Sequence, residues 1–190
     1  MLSKEVPEKL GKYYFLAQKH GAEFYADGDT VFIIAPRDKL VDLASEIFNS
    51  LNCTFRVCAG VDERPLNGHF SLAHLFTDDR LGLYVVLKTY LEGDNPVAPS
   101  IVSAVPAADW CEMEARDLLG IEFTGRTNYR LVLPPEWPEG LHPLRKDVPY
   151  NYRPQIRAVS ERLAAEAEVG VVPIGPYHPA LHEPEYFELY

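Results

Sequence analysis

Three short stretches gather most of the side chains able to do chemistry. In the first, Trp110-Cys111-Glu112-Met113-Glu114-Ala115-Arg116-Asp117-Leu118-Leu119-Gly120, charged residues recur at helical spacing. Glu112 and Arg116 stand four apart and can pair, worth about 0.2–0.5 kcal/mol in an isolated helix. Glu114 and Asp117 stand three apart, and burial of two like charges would raise one carboxyl pKa and create an acid/base dyad. The second stretch, His142-Pro143-Leu144-Arg145-Lys146-Asp147, sets two cations between an imidazole and an acid. It can hold an anion, or Arg145 can make a bidentate bond to Glu114 or Asp117 and pin the segment. The third is the pair His178 and His182, four apart around Pro179, which offers two metal-ligating side chains. Bringing Glu114, Asp117 and His142 into one pocket would make a small acid/base hydrolase. The competing reading, which we favour, is a charged helix face that orders the segment after it.

Other chemistries find less support. Cys53, Cys58 and Cys111 are odd in number and form no C-x-x-C. They supply neither a disulfide framework nor a complete cysteine-ligated metal site, and read as small buried hydrophobes. His69 and His74 are five apart, which on a strand puts them on opposite faces. Neither a glycine-rich phosphate loop nor a G-x-S-x-G nucleophile turn is present, so no NADH, flavin or ATP site is expected.

The elements that must position these groups follow from periodicity. Residues 4–20 read as a helix stopped by Gly21. Ala22–Ala26 and Thr30–Ala35 read as strands around an Asp27-Gly28-Asp29 turn, and Leu40, Leu43, Ala44, Ile47 and Leu51 form a helical stripe. Thr54–Val61 reads as a strand with Phe55, Val57 and Ala59 on one side. Phe70–Phe76 and Leu81–Tyr90 read as a hairpin, and Ser100–Val105 as a short strand. Asp109–Leu119 reads as a helix with Asp109 and Glu112 at capping-box spacing. After Phe123 the prolines 134, 135, 138, 143, 149 and 154 forbid long regular elements. Residues 155–168 have a helical pattern, and Val171–Tyr190 reads as strand, turn and strand.

The expected fold class is therefore α+β, a mostly antiparallel sheet with helices on one face, followed by an extended proline-rich arm. The expected divisions are 1–122 for the α+β domain, 123–155 for the arm and 156–190 for the start of a further domain. The arm carries Tyr129, Leu131, Val132, Leu133, Trp137 and Leu144, so it must bury apolar surface. We expect it to lie on a partner protein, the alternative being packing back along its own domain.

Composition limits the partners. Hydrophobic residues make up 47% of 190 and charged residues 24%, which suits a globular chain, and the net charge is −10. That acidity argues against nucleic acid and against an anionic membrane surface. Apolar runs such as Val85-Val86-Leu87 are far shorter than the roughly 20 residues that span a bilayer. The N-terminus has no apolar signal core, so the chain reads as cytoplasmic without direct membrane insertion.

Residues 110–121 with Phe123 and Gly125 resemble the pattern E-R-E-x-x-D-x-x-G-I-x-F-x-G, and residues 141–149, LHPLRKDVP, resemble H-P-L-R-K-D-x-P. Both belong to the thirty-kilodalton subunit family of respiratory complex I and of group 4 membrane-bound nickel–iron hydrogenases. The resemblance covers roughly residues 30–150. It departs at Met113, where the family has Arg, and at Gly125-Arg126-Thr127-Asn128, where it has G-H-P-D. Residues 131–140 are similar to the linker of formate hydrogenlyase-type large subunits. Residues 173–187 resemble the opening of the large subunit, with Gly175, Pro176, His178, Pro179 and His182 matching and Glu183 replacing Gly. In complex I relatives this opening lies near the quinone site.

The resemblance implies a structural role for Glu112, Glu114, Asp117, Gly120 and residues 142–147, and no catalytic residue. It implies that the chain is the N-terminal part of a longer fusion. Its partners would be a hydrogenase or complex I large subunit, an iron–sulfur small subunit and membrane subunits, which hold it at the inner face of the cell membrane. The nickel–iron centre and iron–sulfur clusters would sit in those partners, with no cofactor or metal in this chain. Three functions compete: a docking domain of such a complex, a stand-alone hydrolase built on Glu114, Asp117 and His142, and an assembly adaptor.

Overall fold

The computed structural model describes residues 7–134 and 137–148. The chain divides into two units, Met1–Val148 and Pro149–Tyr190, and all described residues lie in the first. A single turn of 3-10 helix leads into α1, Gly11–Lys19, which Gly21 terminates at φ 65°. The expected helix from residue 4 thus begins, among described residues, at Glu8. Strands β1, Glu23–Asp27, and β2, Thr30–Ile34, form a hairpin. Extended Pro36 then opens a 3-10 turn into α2, Leu40–Ser45, which ends in one π turn over Glu46–Ser50. Strand β3 is Thr54–Asp62. The polar connection after it holds a short helix, α3, Arg64–Asn67. Strands β4, His69–Asp78, and β5, Leu83–Glu92, make the long hairpin.

These five strands form one sheet in the order β1-β2-β5-β4-β3, antiparallel except where β2 runs parallel to β5. The α+β class and the mostly antiparallel sheet are as the sequence predicts. The predicted strand over Ser100–Val105 is instead a turn; the strand, β6, is Val97–Pro99. It pairs in parallel with β7, Glu122–Thr124, on the far side of helix α4, Asp109–Leu119. Of the β-branched residues of 100–105, Ile101 and Val105 are buried and Val102 packs partly against the core, so burial rather than strand pairing explains them.

The helices pack on one face of the sheet in two apolar clusters. Tyr13, Leu16, Leu40, Leu43 and Ile47 bury against Val31, Ile33, Val85 and Leu87. Met113, Ala115 and Leu119 of α4 bury against Cys58, Phe70 and Leu72. Gly60 makes that approach possible, because a Cβ there would stand 2.6 Å from Leu119 Cδ1. The inward side of β3 differs from expectation. A β-bulge between Phe55 and Val57 shifts the register, so Cys58, Gly60 and Asp62 turn toward the helix while Val57 and Val61 face out. A bulge inserts one residue into a period of two, which reverses every later side chain.

Beside these clusters, His74 of β4 is fully buried, between Cys58 of β3 and Leu87 of β5. Burial pushes its imidazole pKa down to about 4. Between that value and the ordinary 6.5 the unfolded chain binds a proton that the folded chain refuses. Stability contributed by the neutral ring is therefore present above pH 6.5 and lost as pH falls toward 4. The His74 share of the loss between pH 7 and pH 4.5 is about 2 kcal/mol. Urea unfolding at the two pH values should give a pH-dependent loss smaller by that amount in His74→Leu. An equal loss in both proteins contradicts the assignment.

Candidate functional site

Helix α4 carries the first charged stretch, and its charged side chains other than Glu114 are engaged along its length. No capping box forms at its start: Ala108 is the N-cap and makes no side-chain bond. Glu112 is instead fully buried. Its Oε2 accepts from Ser100 Oγ at 2.7 Å and from the Arg126 guanidinium at 3.1 Å, and its Oε1 accepts from the Ile101 amide at 2.8 Å. Burial pushes the Glu112 carboxyl pKa up, against the downward pull of these donors. Arg126 also pairs with Asp109, and Tyr129 Oη donates to the other Asp109 oxygen at 3.0 Å. Glu112 thus takes Arg126, not Arg116, as its cation. Arg116 lies 3.6 Å from Asp117 and 3.4 Å from Glu122.

Asp117 is buried near the helix end and faces the arm. Its Oδ2 accepts three consecutive backbone N–H groups, Leu131 at 2.8 Å, Val132 at 2.7 Å and Leu133 at 3.2 Å. Successive amides turned toward one oxygen form the concave anion site that a carboxylate fills well.

An α-helix leaves its last carbonyls without internal partners. In α4 the second charged stretch supplies them. The carbonyl of Asp117 accepts from His142 Nδ1 at 2.8 Å, that of Leu118 from the Leu144 amide at 2.9 Å, and that of Leu119 from Arg145 Nε at 2.7 Å. Gly120 closes the helix at φ 72° with its amide on Arg116 O. Any Cβ there would run into the His142 and Arg145 side chains. Arg145 also places a cation at the negative end of the helix dipole. Burial, reinforced by the charges of Arg145 and Arg116, keeps His142 below the ordinary imidazole pKa. A neutral ring that donates from Nδ1 fits the geometry.

The arm then ties to the sheet. The Lys146 amide donates to Asp62 Oδ2 at 2.8 Å. Arg64 holds Asp62 at 2.7 Å, Asp147 at 3.0 Å and Asp94 at 3.0 Å. The bonds from Arg64 bring the Asp62 carboxyl down to about 2. Phe70 lies beneath both the Arg64 and the Arg145 guanidinium, 4.6 and 5.3 Å from its ring centre.

The structure therefore brings Glu112, Asp117, Gly120, His142, Leu144, Arg145, Lys146 and Asp147 into one polar seam, with Pro143 in the turn between them. Glu114 stands apart, exposed to solvent. Asp117 is occupied by amides and His142 by a carbonyl, so Glu114, Asp117 and His142 share no pocket. Arg145 reaches a backbone carbonyl rather than Glu114 or Asp117, because residues 142–145 of the arm cross the end of α4. The described part of the arm is tied to its own domain through backbone and polar groups, while the apolar side chains of Tyr129, Leu131, Val132 and Leu144 stay exposed, the surface expected to lie on a partner. Gly175, Pro176, His178, Pro179 and His182, and the patterns over 155–190, lie outside the described residues. No group of three or more metal-binding side chains is positioned to hold an ion among the described residues.

Arg126, Asp62 and Arg64 do not stand out in the sequence. Arg126 occupies a position where the motif departs from its usual form, which is the one signal that could have found it. Met113, the other departure, uses its sulfur to accept the Tyr129 amide at 3.4 Å.

Residues 33–154 match the family described as the respiratory-chain NADH dehydrogenase 30 Kd subunit. Hydrogenase-4 component G of Escherichia coli (strain K12) is 34% identical over 169 residues, 85% of this chain and 30% of the relative. Formate hydrogenlyase subunit 5 of the same organism is 31% identical over 197 residues, 96% of this chain and 35% of the relative. The chain thus spans about a third of the length of these relatives. A relative from Rhizobium meliloti (strain 1021), the C 1 subunit of its NADH-quinone oxidoreductase, is 32% identical over 155 residues, 77% of this chain and 75% of the relative. The fold is shared with a trypsin-resistant fragment of Nqo5, at TM-score 0.52 and 18% identity over 64% of this chain and 99% of that one. It is shared too with a chain of a membrane-bound sulfane sulfur reductase, at TM-score 0.59 and 20% identity over 88% of this chain and 96% of that one.

Removing the Asp117 carboxylate strands three amides at once. Asp117→Ala should cost about 3 kcal/mol in urea unfolding, since each buried group left unpaired costs about 1–3 kcal/mol and the loop can relax toward water. Gly120→Ala should also destabilise, by backbone strain and by pushing His142 and Arg145 off the helix end. A loss below 0.5 kcal/mol for Asp117→Ala, within the range of ordinary surface changes, contradicts the role given to it.

Proposed function

The chain belongs to the family of the 30 kDa subunit of respiratory-chain NADH dehydrogenase, and from that premise we propose that it is a non-catalytic docking domain of a membrane-associated electron-transfer complex. The complex is of the hydrogenase or NADH:quinone oxidoreductase type. The observation that carries the reading is the polar seam between α4 and the arm. Apart from Glu114, the charged groups that might have done acid/base work are engaged in holding backbone in place. A domain built this way offers a rigid surface rather than a reaction centre, and electron transfer between clusters in neighbouring subunits needs fixed distances.

In this reading residues 1–122 form the docking domain, 123–155 its arm, and 156–190 the start of a large-subunit domain. The length of the hydrogenase relatives and their match over nearly the whole chain support a fusion of that kind. Nickel–iron and iron–sulfur clusters belong to the partner domains and subunits: a large subunit, an iron–sulfur small subunit and membrane subunits. Among the described residues no helix is long and apolar enough to cross a membrane. Attachment at the inner face of the membrane would therefore come through those partners. The stand-alone hydrolase is not favoured, because its three residues share no pocket.

A pull-down of the chain from its natural cells in mild detergent should recover a large subunit, an iron–sulfur protein and membrane subunits, with nickel in the eluate if the complex is a hydrogenase. Recovery of the chain alone, with intact complexes present in the lysate, contradicts the docking role.

A further inference from the structure

Among the described residues, the helices cover only one face of the five-stranded sheet. An antiparallel sheet with a wet face ordinarily alternates apolar inward and polar outward residues. Here the outward positions form an apolar row across all five strands. Tyr25 of β1 pairs with Phe32 of β2, Phe32 with Val86 of β5, Val86 with Leu75 of β4, and Leu75 with Val57 of β3. Tyr25 and Phe32 stack at 4.5 Å with their planes 6° apart, which makes a rigid aromatic plate. Tyr25 is 49% exposed, Val57 41%, and the neighbouring Tyr84, also outward, 53%. Contiguous apolar surface of this kind marks an interaction site, and tyrosines on a stiff scaffold are favoured anchors.

The charges around the row say what it would accept. Lys88 is neutralised by Glu63 at 2.8 Å and Arg56 by Asp79 at 2.9 Å. Glu23, Asp27 and Glu92, also at outward positions, make no salt bridge within the described residues; Glu23 and Asp27 flank Tyr25 on β1, and Glu92 lies at the far end of β5, past Lys88 and Tyr90. The face is thus apolar in the middle and acidic at its corners. A second copy of this chain would bring acid against acid, with −10 on each chain.

We propose that the open sheet face is a docking surface, separate from the described part of the arm, for a subunit that presents an apolar strip flanked by lysine or arginine. This deepens the docking reading and rests on it. The apolar row supplies the contact area, and the acidic corners set orientation and exclude self-association.

The test places a photo-crosslinking benzoylphenylalanine at Tyr84 in the full chain within its natural cells, followed by peptide mapping. The expected result is a link to one segment of another subunit in which basic residues flank apolar ones. Its yield should fall about fivefold at low salt in the Glu23→Lys, Glu92→Lys double variant, as the loss of two exposed ion pairs would give. Unchanged thermal stability of the variants would tie the loss to the face. A link only to a second copy, a link to an acidic segment, or no link while the other subunits still co-purify overturns this proposal and leaves the docking role standing. Absence of every partner overturns both.

Discussion

Much of the domain's polar architecture depends on how helix α4 ends. Three carbonyls there, those of Asp117, Leu118 and Leu119, would be buried without partners if the chain simply moved away. The residues that satisfy them lie more than twenty positions later, in His142, Leu144 and Arg145. Buried backbone groups need partners almost without exception. The end of α4 therefore dictates where the arm must run. Asp117 enforces the same path from the other side, by taking the amides of Leu131–Leu133. Helix and arm each leave unpaired groups that the other supplies, so neither reaches this arrangement alone.

Charge follows from this constraint rather than preceding it. Glu112 can remain buried because Ser100, Ile101 and Arg126 surround it. Asp62 can do so because Arg64 and the Lys146 amide hold it. Removing one partner from such a group is costly, because an uncompensated charge stays behind. A stretch rich in Glu, Asp, His and Arg resembles an active site in composition, yet here these groups are closed upon backbone and upon one another. With these groups engaged, the charged stretch is closed off, which suits binding more than chemistry.

Much of the fold is legible in the sequence because its signals are local. Helix α4 is bounded at both ends by periodicity and by Gly120, whose positive φ leaves no room for another residue. The long hairpin is legible from alternation. What escapes is non-local. The bulge between Phe55 and Val57 reverses the expected faces of β3, and period-two reasoning has no means of sensing an inserted residue. The two charged stretches stand out as candidates, but their connections do not. Sequence pairs Arg145 with a carboxylate because side-chain complementarity is visible there, whereas a helix-end carbonyl is not. Arg64 and Asp62 carry no motif, and only the fold brings them to Asp147, 83 and 85 positions on.

Amide hydrogen exchange of the wild-type chain tests the central claim most directly. If the arm is the partner of the α4 terminus, the amides of Leu131, Val132, Leu133 and Leu144 should be protected together with the helix in the chain without other subunits, and exchange with one common opening energy. Exchange of those four amides at the rate of free peptide, while α4 stays protected, would contradict it.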